Sequence, residues 1–158
     1  MRRKDRELSE EKAWEILKSG NHGILSTCND NLPYGVPLSY NVEDKNIYFH
    51  CAIAGHKSDN IDKNPNISFC VITKDKVSAK KLTVYFESVI VFGKVEKIED
   101  QEEKTEALVN LTKKFSPGDE EKKKKVIIAS LHKLDMYKIT VEKITGKANY
   151  EKNNWWII

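Results

Sequence analysis

The 158 residues are 39% hydrophobic, 9% aromatic and 32% charged, with seven glycines and four prolines, which excludes a disordered or collagen-like chain. Twenty-seven Lys and Arg against 24 Asp and Glu leave a net charge of +3 with no segregated basic patch, so no nucleic acid and no membrane is expected as a partner. No apolar run reaches the ~20 residues of a membrane span, and the charged start, Arg2 to Glu7, is followed by no apolar signal core.

Ser9 predicts the cap of a first helix, with Glu10 and Glu11 in its positive first turn. Ala13, Trp14, Ile16 and Leu17 are its apolar stripe, and Gly20 ends it. Strand-like runs follow at 22–28, 34–42 and 47–52, with turns at Asn29-Asp30-Asn31 and Asp44-Lys45-Asn46. Two hairpins in succession predict an antiparallel meander. Ala54-Gly55 then opens a short helix over 57–63, which Asn64-Pro65 closes. A strand is expected from Asn66 to Thr73, with Ile67, Phe69 and Val71 on one face.

A charged connection, Lys74 to Lys81, is expected to cross to the longest strand, Leu82 to Ile98. Val89, Ile90, Val91 and Phe92 make both faces of that strand apolar, so cover is expected on both sides, from a barrel interior and from a second subunit. Asp100 with Glu103 resembles a capping box, and Ala107, Leu108, Leu111 and Phe115 form the stripe of the helix behind it. Ser116-Pro117-Gly118 breaks that helix, and another runs from Asp119 to Leu131, with Lys122 to Lys125 on a solvated face. A strand over 135–144 follows, and Trp155-Trp156 either covers an apolar ring or pins the C-terminus to the core. No repeat or linker divides the chain, so 1–158 is expected to be a single domain. Six strands with few helices predict a small, mainly β barrel.

Cys28, Cys51 and Cys70 are odd in number and widely spaced in apolar runs, which predicts buried, reduced thiols in a cytoplasmic protein. The histidines lack zinc-type spacing, so no metal is expected. The most informative stretch is 47–61. A strand ends in His50, a small-residue loop turns at Gly55, and Lys57 opens a helix. Free N–H groups at a helix start, with a lysine beside them, suit a phosphate, and Gly55 permits close approach of the backbone. His56 and Ser58 offer further donors. An ordinary strand–turn–helix with a solvated lysine fits the same residues. His50 alone fits a structural or a catalytic role, and Ser88 fits a hydroxyl satisfied within its own sheet. No phosphate-binding or dinucleotide-binding glycine loop is present.

Several segments, taken in order, resemble one family. They are 1–6, Pro33-Tyr34-Gly35-Val36-Pro37-Leu38-Ser39-Tyr40, Ile47 to Asn60, Lys63-Asn64-Pro65, Ser88-Val89-Ile90-Val91-Phe92-Gly93 and Ile144-Thr145-Gly146-Lys147-Ala148. Together they resemble the FMN-binding split barrels of the pyridoxamine-phosphate-oxidase-like superfamily, and within it the Nim-type proteins associated with 5-nitroimidazole resistance. The resemblance implies a six-stranded antiparallel split β-barrel with peripheral helices, and a homodimer with FMN at the subunit interface. It implies that Val36, Pro37, Leu38 and Ser39 run along the isoalloxazine, and that His50 and Cys51 line the same site. His56 and Lys57 fall on the phosphate, and Ser88 reaches the flavin from the partner chain. His50 is the implied catalytic residue. With an ordinary pKa near 6.5, a histidine can supply protons while reduced flavin delivers electrons to a small, nitroaromatic substrate.

This chain departs from the family pattern at three places. His56 and Glu87 stand where relatives often carry arginine, and Cys51 replaces a commoner small residue. Weaker FMN binding is the expected consequence. The function implied is a cytoplasmic FMN-dependent oxidoreductase. The alternatives are a non-catalytic flavin-binding protein and a haem-handling split barrel.

Overall fold

Ser9 caps α1 (Glu10–Ser19) by accepting a hydrogen bond from the Lys12 N–H at 3.2 Å, and α1 buries the predicted stripe of Ala13, Trp14, Ile16 and Leu17. The computed structural model describes residues 2–150. Its strands are β1 (Glu7–Leu8), β2 (His22–Asn29), β3 (Leu32–Ser39), β4 (Asn41–Glu43), β5 (Asn46–Ala52), β6 (Asn66–Ser78), β7 (Thr83–Lys97) and β8 (Leu134–Asn149). The remaining helices are α2 (His56–Lys63), α3 (Gln101–Phe115) and α4 (Glu120–Ser130). Every strand pair is antiparallel, in the order β3-β2-β6-β7-β8-β5-β4, with β1 on β8. The sheet does not close, although β3 comes near β5. The architecture is therefore mainly antiparallel β with flanking helices, open as in a split barrel.

Two hairpins form where the turns predicted them, but not as one meander. The expected strand over 34–42 is broken at Tyr40. Its ring is buried, its hydroxyl donates to the Leu17 carbonyl at 2.5 Å, and its own carbonyl accepts from Lys114 Nζ at 3.0 Å. These bonds separate β3, which pairs with β2, from β4, which pairs with β5. β5 then continues the sheet through β8.

The charged connection expected over 74–81 is mostly strand. β6 and β7 form one long hairpin, shifted in register between Ile72 and Lys74, and only 79–82 connects them. Charge did not break the strand, because Lys74 meets the buried Glu87 carboxylate across the hairpin at 3.2 Å.

The barrel interior is filled by Leu25, Phe49, Phe69, Val71, Val89, Val91, Tyr137 and Ile139, with α1 packed against it. A second cluster, built on Leu108, Leu111, Ile127 and Met136, holds α3 and α4 against the sheet. Asp100 caps α3 by accepting from the N–H groups of Glu102 and Glu103. The three cysteines are free, but they are not the buried thiols expected. Cys28 is exposed, and Cys51 and Cys70 are half-buried. On β2 the alternation puts Leu25 and Thr27 inside, so Cys28 falls on the outer face. Trp155 and Trp156 lie outside the described residues.

Candidate functional site

β5 delivers Phe49, His50 and Cys51 to its C-terminal end, and three residues, 53–55, separate the strand from α2. Gly55 joins them at φ 155° and ψ 165°, a conformation essentially reserved to glycine. A Cβ there would meet nothing within 4 Å, so the space beside the loop is open. No side chain caps α2. Its first backbone hydrogen bond is Asp59 N–H to the Gly55 carbonyl at 3.1 Å, which leaves the preceding N–H groups without helical acceptors.

α2 is held in place by two asparagines. Asn60 Nδ2 donates to Thr27 Oγ1 at 3.0 Å, and Asn64 Nδ2 donates to the Cys28 carbonyl at 2.8 Å. These bonds bring the first turn of α2 to the β2–β3 hairpin. There the His56 ring meets Tyr34 edge to face, with 4.5 Å between centroids. Lys57 Nζ lies 5.6 Å from the centre of the Phe49 ring, which stacks on Tyr137 at 5.3 Å. Among the described residues no carboxylate pairs with Lys57.

His50 and Cys51 are neighbours on a strand and so point to opposite faces of β5. The His50 side chain is exposed at the strand end, yet loss of part of its hydration beside the protein lowers its pKa below the ordinary 6.5, and the Lys57 charge lowers it further. Burial pushes the Cys51 thiol up, while Lys57 acts in the opposite direction. Opposite Cys51 in the ladder is Asp135, a buried carboxylate 3.0 Å from Lys97 Nζ and 3.7 Å from Lys104 Nζ.

On β3, Val36 and Leu38 belong to the interior, whereas Pro37 and Ser39 alternate to the other side. Pro37 pairs with Ile24, which pairs with Cys70, which pairs with Ile90, so these residues form one row across the outer face of the sheet. Ser88 lies on the same outer face of β7. Its hydroxyl donates to the Lys147 carbonyl at 3.4 Å. With Ile90, Phe92, Lys143, Thr145 and Lys147 it lines an open hollow of about 340 Å³.

The structure thus gathers His56 and Lys57 beside Phe49, Cys51 and Tyr34, and near His50. It keeps Ser88 apart on the outer face. Glu87 turns inward, away from Ser88. It is buried and accepts from Lys74 Nζ, Thr73 Oγ1 and the Tyr150 hydroxyl at 3.2, 3.2 and 2.9 Å. Sequence reasoning missed Tyr34 and Phe49 as neighbours of the α2 turn, and Lys143 and Lys147 as neighbours of Ser88. The aromatic–His and aromatic–Lys contacts depend on how α2 docks. The lysines depend on the β7–β8 register, which no local pattern reveals.

Solved structures of this fold come from several bacteria. A Bacteroides thetaiotaomicron protein assigned to 5-nitroimidazole antibiotic resistance superposes with a TM-score of 0.75 at 21% identity, covering 90% of this chain and 86% of that one. A flavocytochrome of Azotobacter vinelandii gives 0.78 at 21%, covering 90% and 68%. A FAD-binding protein of Mesorhizobium loti gives 0.65 at 23%, covering 92% and 98%. At these identities the likeness is one of fold. No curated protein matches the sequence. The family model described as pyridoxamine 5'-phosphate oxidase matches residues 9–148, and the chain belongs to that family.

Proposed function

We propose that the chain is an FMN-binding oxidoreductase that reduces a small nitroaromatic substrate. The observation that carries this reading is the α2 turn. An open glycine, uncapped N–H groups and a lysine without a carboxylate partner converge at the end of β5, close to His50. That donor set fits a phosphate. Family membership supports a flavin, as do the flavin-binding proteins of the same fold, and the nitroimidazole-resistance protein among them supports the substrate class.

In this reading Lys57 and the first turn of α2 hold the phosphate, His56 adds a donor, and the β3 backbone from Val36 to Ser39 runs along the ring. Cys51 lies on the inner side of the same strand end. The bound flavin supplies the electrons. His50 supplies or orients the proton. Partial desolvation and Lys57 both disfavour its charged form, so its imidazolium is a stronger acid than a free histidine imidazolium.

The chain acts as a homodimer in this account. Ile24, Ile72, Ile90 and Phe92 are exposed on one face of the sheet, Ile90 by 41% and Phe92 by 47%. An apolar face of this kind calls for a partner, and a second copy related by a two-fold axis covers both copies of the face at once. Ser88, on that face, then reaches the flavin of the other chain. The three free cysteines fit a reducing compartment, and we assign the protein to the cytoplasm. No helix among the described residues is long and apolar enough to cross a membrane.

The test is anaerobic single-turnover oxidation of chemically reduced, FMN-loaded protein by a 5-nitroimidazole. Oxidation is expected, and His50→Ala should slow it by roughly 100-fold while FMN stays bound. Equal rates in the two proteins would remove His50 from the mechanism. No oxidation in either would favour a flavin carrier or a different substrate class.

A further inference from the structure

The outer face carries a feature that flavin binding does not require. β7 and β8 set three pairs side by side: Ser88 opposite Lys147, Ile90 opposite Thr145 and Phe92 opposite Lys143. Cross-strand partners share a face, so Ser88 and the apolar Ile90 and Phe92 on β7 lie against a hydroxyl and two cations on β8. These six residues line the open hollow of about 340 Å³. Among the described residues neither Lys143 nor Lys147 has a carboxylate partner, and no carboxylate lines the hollow. The Lys147 ammonium lies instead 5.5 Å from the centre of the Phe86 ring. The Cα atoms of the two lysines are four strand residues apart, about 13 Å, a span that their long side chains can close around a small molecule.

We propose that this hollow binds a planar aromatic carboxylate, with its ring on Ile90 and Phe92 and its negative charge on Lys143 and Lys147. The charge pattern favours this occupant. A neutral ring would bring no charge to the two lysines, and an inorganic anion would make no apolar contact with Ile90 and Phe92. The volume falls at the small end of the range for small-molecule sites. The site deepens the function proposed above, on which its place near the flavin rests. In the dimer the second copy roofs the hollow, and a ligand in it touches Ser88, so the substrate class narrows from nitroaromatics to anionic ones.

The experiment is calorimetric titration of the FMN-loaded protein with 4-nitrobenzoate and with its uncharged analogue 4-nitrobenzamide. The same titrations are made on Lys147→Met and on the Lys143→Met/Lys147→Met double variant. The wild type should bind the carboxylate at least about tenfold more tightly than the amide, the scale of a charge-assisted hydrogen bond. The double variant should lose that preference and keep its affinity for the amide. Equal affinities in the wild type, or a preference that survives in the double variant, would overturn the proposal. Loss of FMN from Lys147→Met, with the preference retained, would give the hollow to the cofactor and also overturn it. Should the protein take up no FMN at all, the flavoprotein reading fails by that result alone. The same titration of the flavin-free chain then decides the hollow separately.

Discussion

The Lys57 ammonium stands over the Phe49 ring, 5.6 Å from its centre, and so links the first turn of α2 to the strand end that carries His50. An ammonium over a ring face, without a carboxylate to neutralise it, is available to a stronger anion. If that anion is the FMN phosphate, Lys57→Ala should weaken FMN binding by about 2 kcal/mol, roughly 30-fold. Titration of flavin-free protein with FMN measures this. Unchanged affinity would place the phosphate elsewhere.

His50 should titrate below 6.5 in the folded protein, because partial desolvation first and Lys57 second disfavour its charged form. Proton NMR of the imidazole against pH reads this directly. Lys57→Met should raise the His50 pKa without restoring it fully, since the partial desolvation remains. The unfolded chain holds more protons than the fold between the two pKa values. The His50 contribution to stability is therefore complete above about 6.5 and declines as pH falls toward the folded value. His50→Gln should lessen the loss of stability in that window, and an unaltered slope would contradict the assignment.

Asp135 is buried between Lys97 and Lys104, and Lys104 is itself buried. Removing the carboxylate leaves the Lys104 charge in the interior without its partner. Asp135→Ala should cost about 3–5 kcal/mol in urea unfolding, the range for breaking a buried pair. Lys97→Ala, which loses a more exposed partner, should cost much less. Similar costs for the two would show that Lys104 finds another acceptor.

Glu87 departs from the family pattern, and the structure changes what that departure means. The carboxylate points away from the outer face, and Lys74, Thr73 and Tyr150 answer it. Burial and the Glu87 bond together push the Tyr150 hydroxyl up to about 12, so it stays a donor at any ordinary pH. Glu87→Gln should lower stability by about 1–3 kcal/mol and leave FMN affinity unchanged. A large change in FMN affinity would return Glu87 to the site.

Much of this was legible before the fold. Ser9 and Asp100 marked helix starts because a cap is a local bond, and Asn29-Asp30-Asn31 marked a hairpin because positive φ favours those residues. Gly55 and the helix that opens after it were readable for the same local reason. What was not legible depends on distant partners. The break at Tyr40 is made by Leu17 and Lys114, and the continuation of β6 through Lys74 is made by Glu87. The inward turn of Glu87 and the juxtaposition of Ser88 with Lys147 follow from strand register, which is set across the whole sheet.

The proposed function rests on a flavin held by a dimer. Sedimentation velocity of FMN-loaded protein at micromolar concentration, followed through the visible absorbance, tests it most directly. One boundary is expected at the mass of two chains, carrying the flavin spectrum with one flavin per chain. Phe92→Glu, which places a charge on the apolar face, should move that boundary toward one chain and release flavin. A stable FMN-bound monomer, a dimer that sediments without flavin, or a haem Soret band in place of the flavin spectrum would contradict it.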